Sequence, residues 1–578
     1  MPYDPLVAQA VVAELRQLLG TRVDRIVQPN GEEIAVALYT GRSRTWLLFS
    51  VHAVHARLHL AAQVTGENRV TPFLLTLRHH LEGAQLREVS LPVMERVVTL
   101  QFQSPPIRGS RSYRLVAEIM GRHSNLILVD PETGLIIDGL KRYGHALSRY
   151  REVLPGRPYL APPRTKADPL SLTEEQWTAL LVSAGPDQPL EKALVEKLNG
   201  FGPVLARELA FRAGIDPTQP LEFCGAYEFD RLWQAWQQLC EILLGQRFEP
   251  TLVRREGRAV DYAALPLRQY QGLEQMVFSG MSAAIDLFYR ERLEQEHLEK
   301  EKRRLKHLVG EQQRRWLRKL ETQTEVLAEA RKAEAYRLYG EIIIANLHRL
   351  TKGMTHLEAP NPYRPEETER VALDPALEPI DNAQWYFRRY RKAKTQAEQA
   401  ASQLEQAHHE IAYWESVDLA LDRVNTPEEL AEVREEIEAQ LPSIASGSRR
   451  DRGSARQPLL LLRYTSPDGY DVLVGKNNRQ NDYLCARVAR SEDVWLHAQG
   501  VPGAHVLVRN PRGGPLPPRT LEFAASLAAY FSRSARDHLV AVDYTLAKYV
   551  HKPKGARPGM VFYTHQSTIV VPPVAPPV

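Results

Sequence analysis

The sequence predicts a multidomain chain of the α+β class, and three observations carry that reading. Strand-like runs with turn residues between them, broken by two amphipathic helices, fill roughly the first 160 residues. A charge-dense, heptad-patterned stretch occupies the middle, and strand-like runs around one clear helix return near the C-terminus. At 578 residues the chain is too long for one hydrophobic core, so about three or four domains are expected.

The opening MPYDPLVAQAVVAELRQLLG places Leu6, Ala10, Val11, Leu15, Leu18 and Leu19 at helical spacing. It carries an acid, Asp4, and lacks a basic segment followed by an apolar one, so it reads as an amphipathic helix and not a signal peptide. EIAVALYT, RTWLLFSV, ERVVTLQF, YRLVAEIM and NLILVD follow as strands. The helix TPFLLTLRHHLEG interrupts them and closes at Gly83. Residues 1–170 are thus expected to form one α+β domain, ending in the proline-rich connector LPGRPYLAPPRTKADPL.

Residues 171–245 read as short helices. Within them LVEKLNGFGPVLARELAFRAG sets a Gly200-Phe201-Gly202 turn between two helices, as a helix-hairpin-helix does when its amides receive a phosphate. A plain αα-hairpin has the same spacing. Residues 246–280 are expected to return and pack on the first domain.

From 281 to 440 the composition changes. Leu298, Leu305, Val309, Trp316, Leu320 and Leu327 step by 7, 4, 7, 4 and 7, a coiled-coil seam. A second arm runs from Trp385 to Trp414, with Leu404, Ile411 and Trp414 on one stripe. Two arms joined by a connector over 340–384 predict an antiparallel coiled-coil hairpin, with arms of roughly 65 Å at the α-helical rise. The helix PEELAEVREEIEAQL closes this region, and a Ser/Gly/Arg linker over 441–458 leads to a second α+β domain, 459–578. Its strands are LLLLRYTS, DVLVG, VWLHA, AHVLVR, VFYTH and STIVV, and its helix LEFAASLAAYFSRS.

Charge narrows the chemistry. The net charge is only +4, yet Gln457 to Val578 holds 14 Lys+Arg against 8 Asp+Glu, so the C-terminal domain is the anion-facing candidate. Three scattered cysteines exclude a disulfide framework and a four-thiolate zinc site. No run reaches the ~18 apolar residues needed to cross a bilayer, which points to a soluble cytoplasmic protein with no membrane partner. His497, His505, His538, His551 and His565 are separated by 8, 33, 13 and 14 residues, without the close pairs zinc sites use. They read as structural or RNA-contacting, and Cys485, inside YLCARV, as a buried thiol. No catalytic residue, metal or cofactor is expected.

Cations and amides cluster at turns. VGKNNRQND holds Lys476, Asn477, Asn478 and Arg479, and KYVHKPKGARPGM holds Lys548, Lys552, Lys554 and Arg557. Such loops suit phosphate and sugar contacts, and would serve equally as solvated surface. In the first domain Glu95 and Arg96 stand at the mouth of a strand. Strand neighbours face opposite sides, which leaves at least one of the two for another partner. Arg122, His123, Ser124 and Asn125 precede the next strand. In NAQWYFRRYRKAK, Arg388, Arg389, Arg391, Lys392 and Lys394 interleave with aromatics, a pattern that fits rRNA or a polar coiled-coil face.

Taken together, MGRHSNLILVD, GEIIIANLHRLTKGM, NAQWYFRRYRKAK, VGKNNRQNDYL, DVWLHAQGVPGAHVLVR and VDYTLAKYVHKPKGARPGMVFYTHQSTIVV resemble the NFACT family, most closely its bacterial branch. The resemblance implies an NFACT-N α+β domain with a helix-hairpin-helix insertion, a long antiparallel coiled coil and a C-terminal NFACT-R domain. It implies ribosome-associated quality control: binding of 50S subunits that hold a stalled peptidyl-tRNA, recruitment of alanyl-tRNA, and untemplated C-terminal alanine tails that mark the nascent chain for degradation. The ribosome forms the peptide bonds, so the chain is implied to be an adaptor and not an enzyme. Implied partners are 23S rRNA, the stalk-base protein and a small RNA-binding protein, RqcP. The family's tRNA-contacting Asp-Arg pair falls at Glu95-Arg96, where an extra methylene moves the carboxylate, and Asp4 matches a further acidic position. Arg122, Ser124 and Asn125 are assigned to tRNA, and Arg388, Arg389, Arg391 and Lys392 to the ribosome. Lys476, Asn477, Asn478, Arg479, His497, His505, Lys552 and Lys554 are assigned to RNA.

Two other readings compete. Pro2, exposed by loss of Met1 ahead of an α+β domain and a helix-hairpin-helix, resembles the nucleophile of formamidopyrimidine-DNA glycosylases. Tyr3 stands where those enzymes have glutamate, and their four-cysteine finger has no counterpart. The family's older name suggests a fibronectin-binding surface adhesin, against which the missing leader and wall anchor argue.

Overall fold

Asp4 opens the first helix, α1 (Pro5–Arg16), by accepting a hydrogen bond from the Val7 amide at 2.9 Å, with proline at the first helical position. Leu6, Ala10, Val11 and Leu15 are buried on it, whereas Leu19 is exposed beyond its end. The computed structural model describes residues 3–66, 69–105, 109–145, 150–330, 333–441 and 461–576. Pro2 and nearly all of the 441–458 linker fall outside them. The chain divides into two compact units, Met1–Gln295 and Glu296–Val578.

In the first unit, β1 (Arg22–Asn30), β2 (Glu33–Tyr39), β3 (Arg44–Ser50) and β4 (Arg57–Ala61) precede α2 (Pro72–Leu81). They are followed by β5 (Gln85–Ser90), β6 (Val97–Gln103), β7 (Ser112–Glu118), β8 (Asn125–Val129) and β9 (Ile136–Gly139). All nine join one sheet in the order β4-β3-β2-β1-β5-β6-β7-β8-β9, and its pairs are antiparallel. β1, β4, β5 and β9 escaped the sequence reading. β1 (RVDRIVQPN) carries charges and a proline that mask its alternation.

Four helices follow: α3 (Glu174–Val182), α4 (Leu190–Lys197), α5 (Pro203–Ala213) and α6 (Ala226–Leu244). Trp177, Phe201 and Trp236 pack together among them, with ring centroids 5.2 to 6.1 Å apart and the two indoles stacked. A small sheet of β10 (Thr251–Arg255), β11 (Arg258–Ala263) and β12 (Glu274–Val277) sends Leu252, Val253 and Tyr262 into the same core as α1. Met281, Ala284, Ile285 and Phe288, at the start of α7 (Met281–Ala330), complete that core.

In the second unit α7 continues, followed by α8 (Ala333–Ala345), β13 (His356–Asn361), β14 (Arg364–Ala372), α9 (Pro379–Arg423) and α10 (Pro427–Gln440). Lys302 Nζ donates to the Val424 carbonyl at 3.2 Å and Gln313 Nε2 to the Trp414 carbonyl at 3.3 Å. Position on α9 falls as position on α7 rises, so the pair is antiparallel. Leu298, Leu305 and Val309 are buried in the seam, while Trp316, Leu320 and Leu327 are half-buried. The connector 340–384 contains a β-hairpin, β13–β14, that the sequence reading did not see.

The chain ends with β15 (Leu462–Thr465), β16 (Asp471–Gly475), α11 (Asn478–Tyr483), β17 (Val494–Ala498), β18 (His505–Val508), α12 (Pro518–Tyr530), β19 (Val540–Leu546), β20 (Val550–His551), β21 (Phe562–Tyr563) and β22 (Ser567–Val571). Six strands form an antiparallel sheet, β15-β16-β18-β17-β19-β22, with β20 and β21 a separate ribbon. YLCARV is not a strand. Asn477 caps α11 by accepting from the Gln480 amide at 2.8 Å, and Leu484–Val488 extend it as a wider turn. No described helix is long and apolar enough to cross a membrane.

Candidate nucleic-acid interface

In the first unit the turn ahead of β6 is strained and braced. Met94 is buried with φ +60°, a conformation that a side chain adopts only where its surroundings enforce it. Its carbonyl accepts from Asn199 Nδ2 at 3.2 Å. Gly200, at φ +79°, presses on the same turn, and a Cβ there would meet Met94 O at 2.7 Å and Pro5 Cγ at 2.8 Å. The glycine turn between α4 and α5 is therefore seated against the chain on that side.

This bracing shapes a cleft of about 250 Å³ lined by Glu95, Arg96, Tyr159, Pro162, Arg164 and Asn199, among others. The proline-rich connector is one of its walls. Arg151 pairs with buried Glu118 at 2.5 Å, and Tyr159 donates to the same carboxylate at 2.9 Å. Arg164 then reaches Glu95 at 2.8 Å, and Asn199 Nδ2 donates to that carboxylate at 3.1 Å. Glu95 is thus engaged within the chain. Among the described residues Arg96 has no ion-pair partner within 4 Å and no side-chain hydrogen bond. Burial pushes its pKa down, against the nearby charges of Asp4 and Glu95. Burial raises the Asp4 carboxyl to about 6, opposed by the Val7 amide and Arg96. Lys166, lowered by burial and then by Arg96, adds a further cation. Arg164 and Asn199 were invisible as cleft residues because the connector and the helices reach Glu95 and Arg96 only through the fold.

Ser124 and Asn125 do not join this cleft surface. Ser124 Oγ accepts from the Met120 amide at 2.7 Å, and Asn125 Nδ2 donates to the Lys141 carbonyl at 2.8 Å. Both are buried and brace the start of β8. Arg122 is exposed, with His123 Nε2 at 2.9 Å.

In the second unit most of the residues expected to contact RNA have partners within the chain. Lys476 pairs with Glu429, and Arg479 with Glu435 at 2.6 Å. Asn477 donates to Glu432 at 2.7 Å, and Asn478 to Glu436 at 2.9 Å. The four acids lie along α10, so the KNNR segment docks on an acidic helix. Arg557 chelates Glu410 of α9 at 2.8 to 3.0 Å. Arg423 donates to the carbonyls of Tyr530, Phe531 and Ser532, capping α12. Lys552 pairs with Asp482. Among the described residues Lys554 has no such partner.

His497 and His505 are neighbours with ring centroids 5.3 Å apart, and both pack on Trp495. Cys485 Sγ lies 3.2 Å from His505 Nδ1. Burial drives the His497 pKa down to about 4 and that of His505 well below its ordinary value. Burial also pushes the Cys485 thiol up to about 12. Packed on Trp495 and held neutral, the two rings brace the sheet. No described cluster of His, Cys, Asp or Glu has the geometry to hold a metal ion.

On α9 the cations remain free. Arg388, Arg389, Arg391 and Lys392 are exposed, and none has an acidic partner among the described residues. Arg389 stacks 4.3 Å over Trp385.

Residues 4–452 match the NFACT N-terminal and middle domains, and residues 461–564 match the NFACT protein RNA binding domain. The chain is 33% identical to the Rqc2 homolog RqcH of Bacillus subtilis over 100% of its own length and 98% of that protein. It is 31% identical to the Rqc2 homolog RqcH of Streptococcus suis over 99% and 98%. A 71-residue segment, 12% of this chain and 7% of the other, is 31% identical to the human ribosome quality control complex subunit NEMF.

Proposed function

The chain belongs to the NFACT family, in its RqcH/Rqc2 ribosome quality-control group, and on that premise we propose that it is a tRNA-recruiting adaptor. In this reading it binds 50S subunits that hold a stalled peptidyl-tRNA, brings alanyl-tRNA, and directs alanine tailing in the cytoplasm. The ribosome performs the peptidyl transfer, and the chain's own residues only bind and orient. The stalk-base protein and RqcP belong to the same proposal as partners.

The observation that carries it is Arg96: a half-buried cation in a walled cleft, unpaired among the described residues. An unpaired guanidinium in such a place supplies a charge-assisted, bidentate contact to one phosphate. Glu95, held by Arg164 and Asn199, stands beside it in the same cleft. The test is the RNA that copurifies with full-length Arg96→Ala. Transfer RNA should fall at least about tenfold, the scale of one lost charged hydrogen bond, while 50S co-sedimentation persists. Unchanged tRNA occupancy would remove the assignment.

A further inference from the structure

The docking of the KNNR segment on α10 leaves open which face of the C-terminal domain meets RNA. We propose that the β20–β21 ribbon is a stacking platform for unpaired RNA bases, an inference that rests on the RNA-binding reading above. Its inner side is anchored: Tyr563 packs on Trp495 at 4.8 Å and donates to Asp543 at 2.9 Å. His551 pairs directly with Phe562 across the ribbon, so the two side chains share the opposite, outer face. Phe562 is 61% exposed there and His551 is exposed beside it. At the ribbon's base Tyr549 and His565 stack with ring centroids 4.3 Å apart.

A solvent-facing phenylalanine on an anchored, two-stranded element contributes nothing to the core. Ring faces held this way accept bases of any identity, provided those bases are not already paired. The charge around it selects the occupant. After Asp543 the remaining 35 residues contain no Asp or Glu and hold four cations; Arg557 is taken by Glu410 and Lys548 by Glu492, which leaves Lys552 and Lys554. Lys554 has no partner among the described residues. Lys552 has only a partly exposed pair with Asp482, weak enough for a phosphate to displace. The ribbon lies inside the segment that matches an RNA binding domain.

The test uses the full chain, with a labelled single-stranded oligoadenylate and a blunt RNA duplex of equal length as probes. Phe562→Ala should weaken single-strand binding roughly tenfold, as expected for one lost base stack, and change duplex binding less than about twofold. Phe562→Trp should restore it. Lys554→Glu should weaken both probes and reduce the salt slope by about one contact. Single-strand binding by Phe562→Ala within twofold of the parent would overturn the platform while leaving the RNA-binding reading intact. A parent chain that binds neither probe nor tRNA would overturn that reading, and the platform with it.

Discussion

His497 and His505 bring eight residues of sequence separation into ring contact because β17 and β18 pair antiparallel. Their folded pKa values lie below 6.5, so the unfolded chain takes up protons that the folded domain refuses. Their contribution is therefore complete above pH 6.5 and drains away as pH falls, for His497 through about 4. For His497 alone that drop amounts to roughly 3 kcal/mol at pH 4. Protection factors of the amides of residues 494–508, corrected for the intrinsic pH dependence of exchange, should fall over that window, and His505→Gln should flatten the response. Constant protection from pH 6.5 to 4 would mean the imidazoles are solvated. Gly200 makes a second residue-scale case. A methyl there meets Met94 O at 2.7 Å with φ already at +79°, so Gly200→Ala should cost about 2–4 kcal/mol. A lowered thermal midpoint together with lost tRNA recruitment is the expected pair of results.

Among the elements, α10 decides how the C-terminal domain is held. Its Glu429, Glu432, Glu435 and Glu436 engage Lys476, Asn477, Asn478 and Arg479, while Arg423 at the end of α9 caps α12. Arg423→Ala leaves the Tyr530 and Ser532 carbonyls without that donor, while Phe531 keeps the Ala504 amide, at about 1–3 kcal/mol. Limited proteolysis should then release the C-terminal domain sooner. Lys476→Gln with Arg479→Gln should do the same with RNA affinity little changed; a large affinity loss with undiminished protease resistance would return those two side chains to the RNA. The sequence showed α1, α2, the seam at Leu298, Leu305 and Val309, and α12, since each depends on local periodicity. It also singled out Glu95-Arg96, which line a cleft, and the α9 cations, which are exposed. It could not show that KNNR faces α10, because a run of cations looks alike whether phosphates or glutamates lie opposite. Nor could it find Arg164 or Asn199, which meet Glu95 only after 69 and 104 residues of intervening chain have folded.

At the scale of the whole molecule, a net charge of +4 on 578 residues conceals cations that lack acidic partners among the described residues, and two groups of them lie on different units. One is Arg96 in the first unit; the other is Arg388, Arg389, Arg391 and Lys392 on α9 in the second. Separate sets on separate units predict separable losses, which a single undivided binding surface would not produce. Replacing the four α9 cations by Gln should weaken 50S association and flatten its dependence on salt by roughly 3 in log-log slope, since each phosphate contact contributes somewhat under one. These side chains are exposed, and Arg389 alone stacks on an aromatic ring close by, so the fold should tolerate the change. Transfer RNA recruited in solution should remain, as 50S binding should remain in Arg96→Ala. Sedimentation at several salt concentrations, with tRNA quantified in the same fractions, reads both losses at once. If either variant lost both ligands in parallel, the two sets would be one site, and the adaptor would lack the independent grips on particle and tRNA that its proposed role requires.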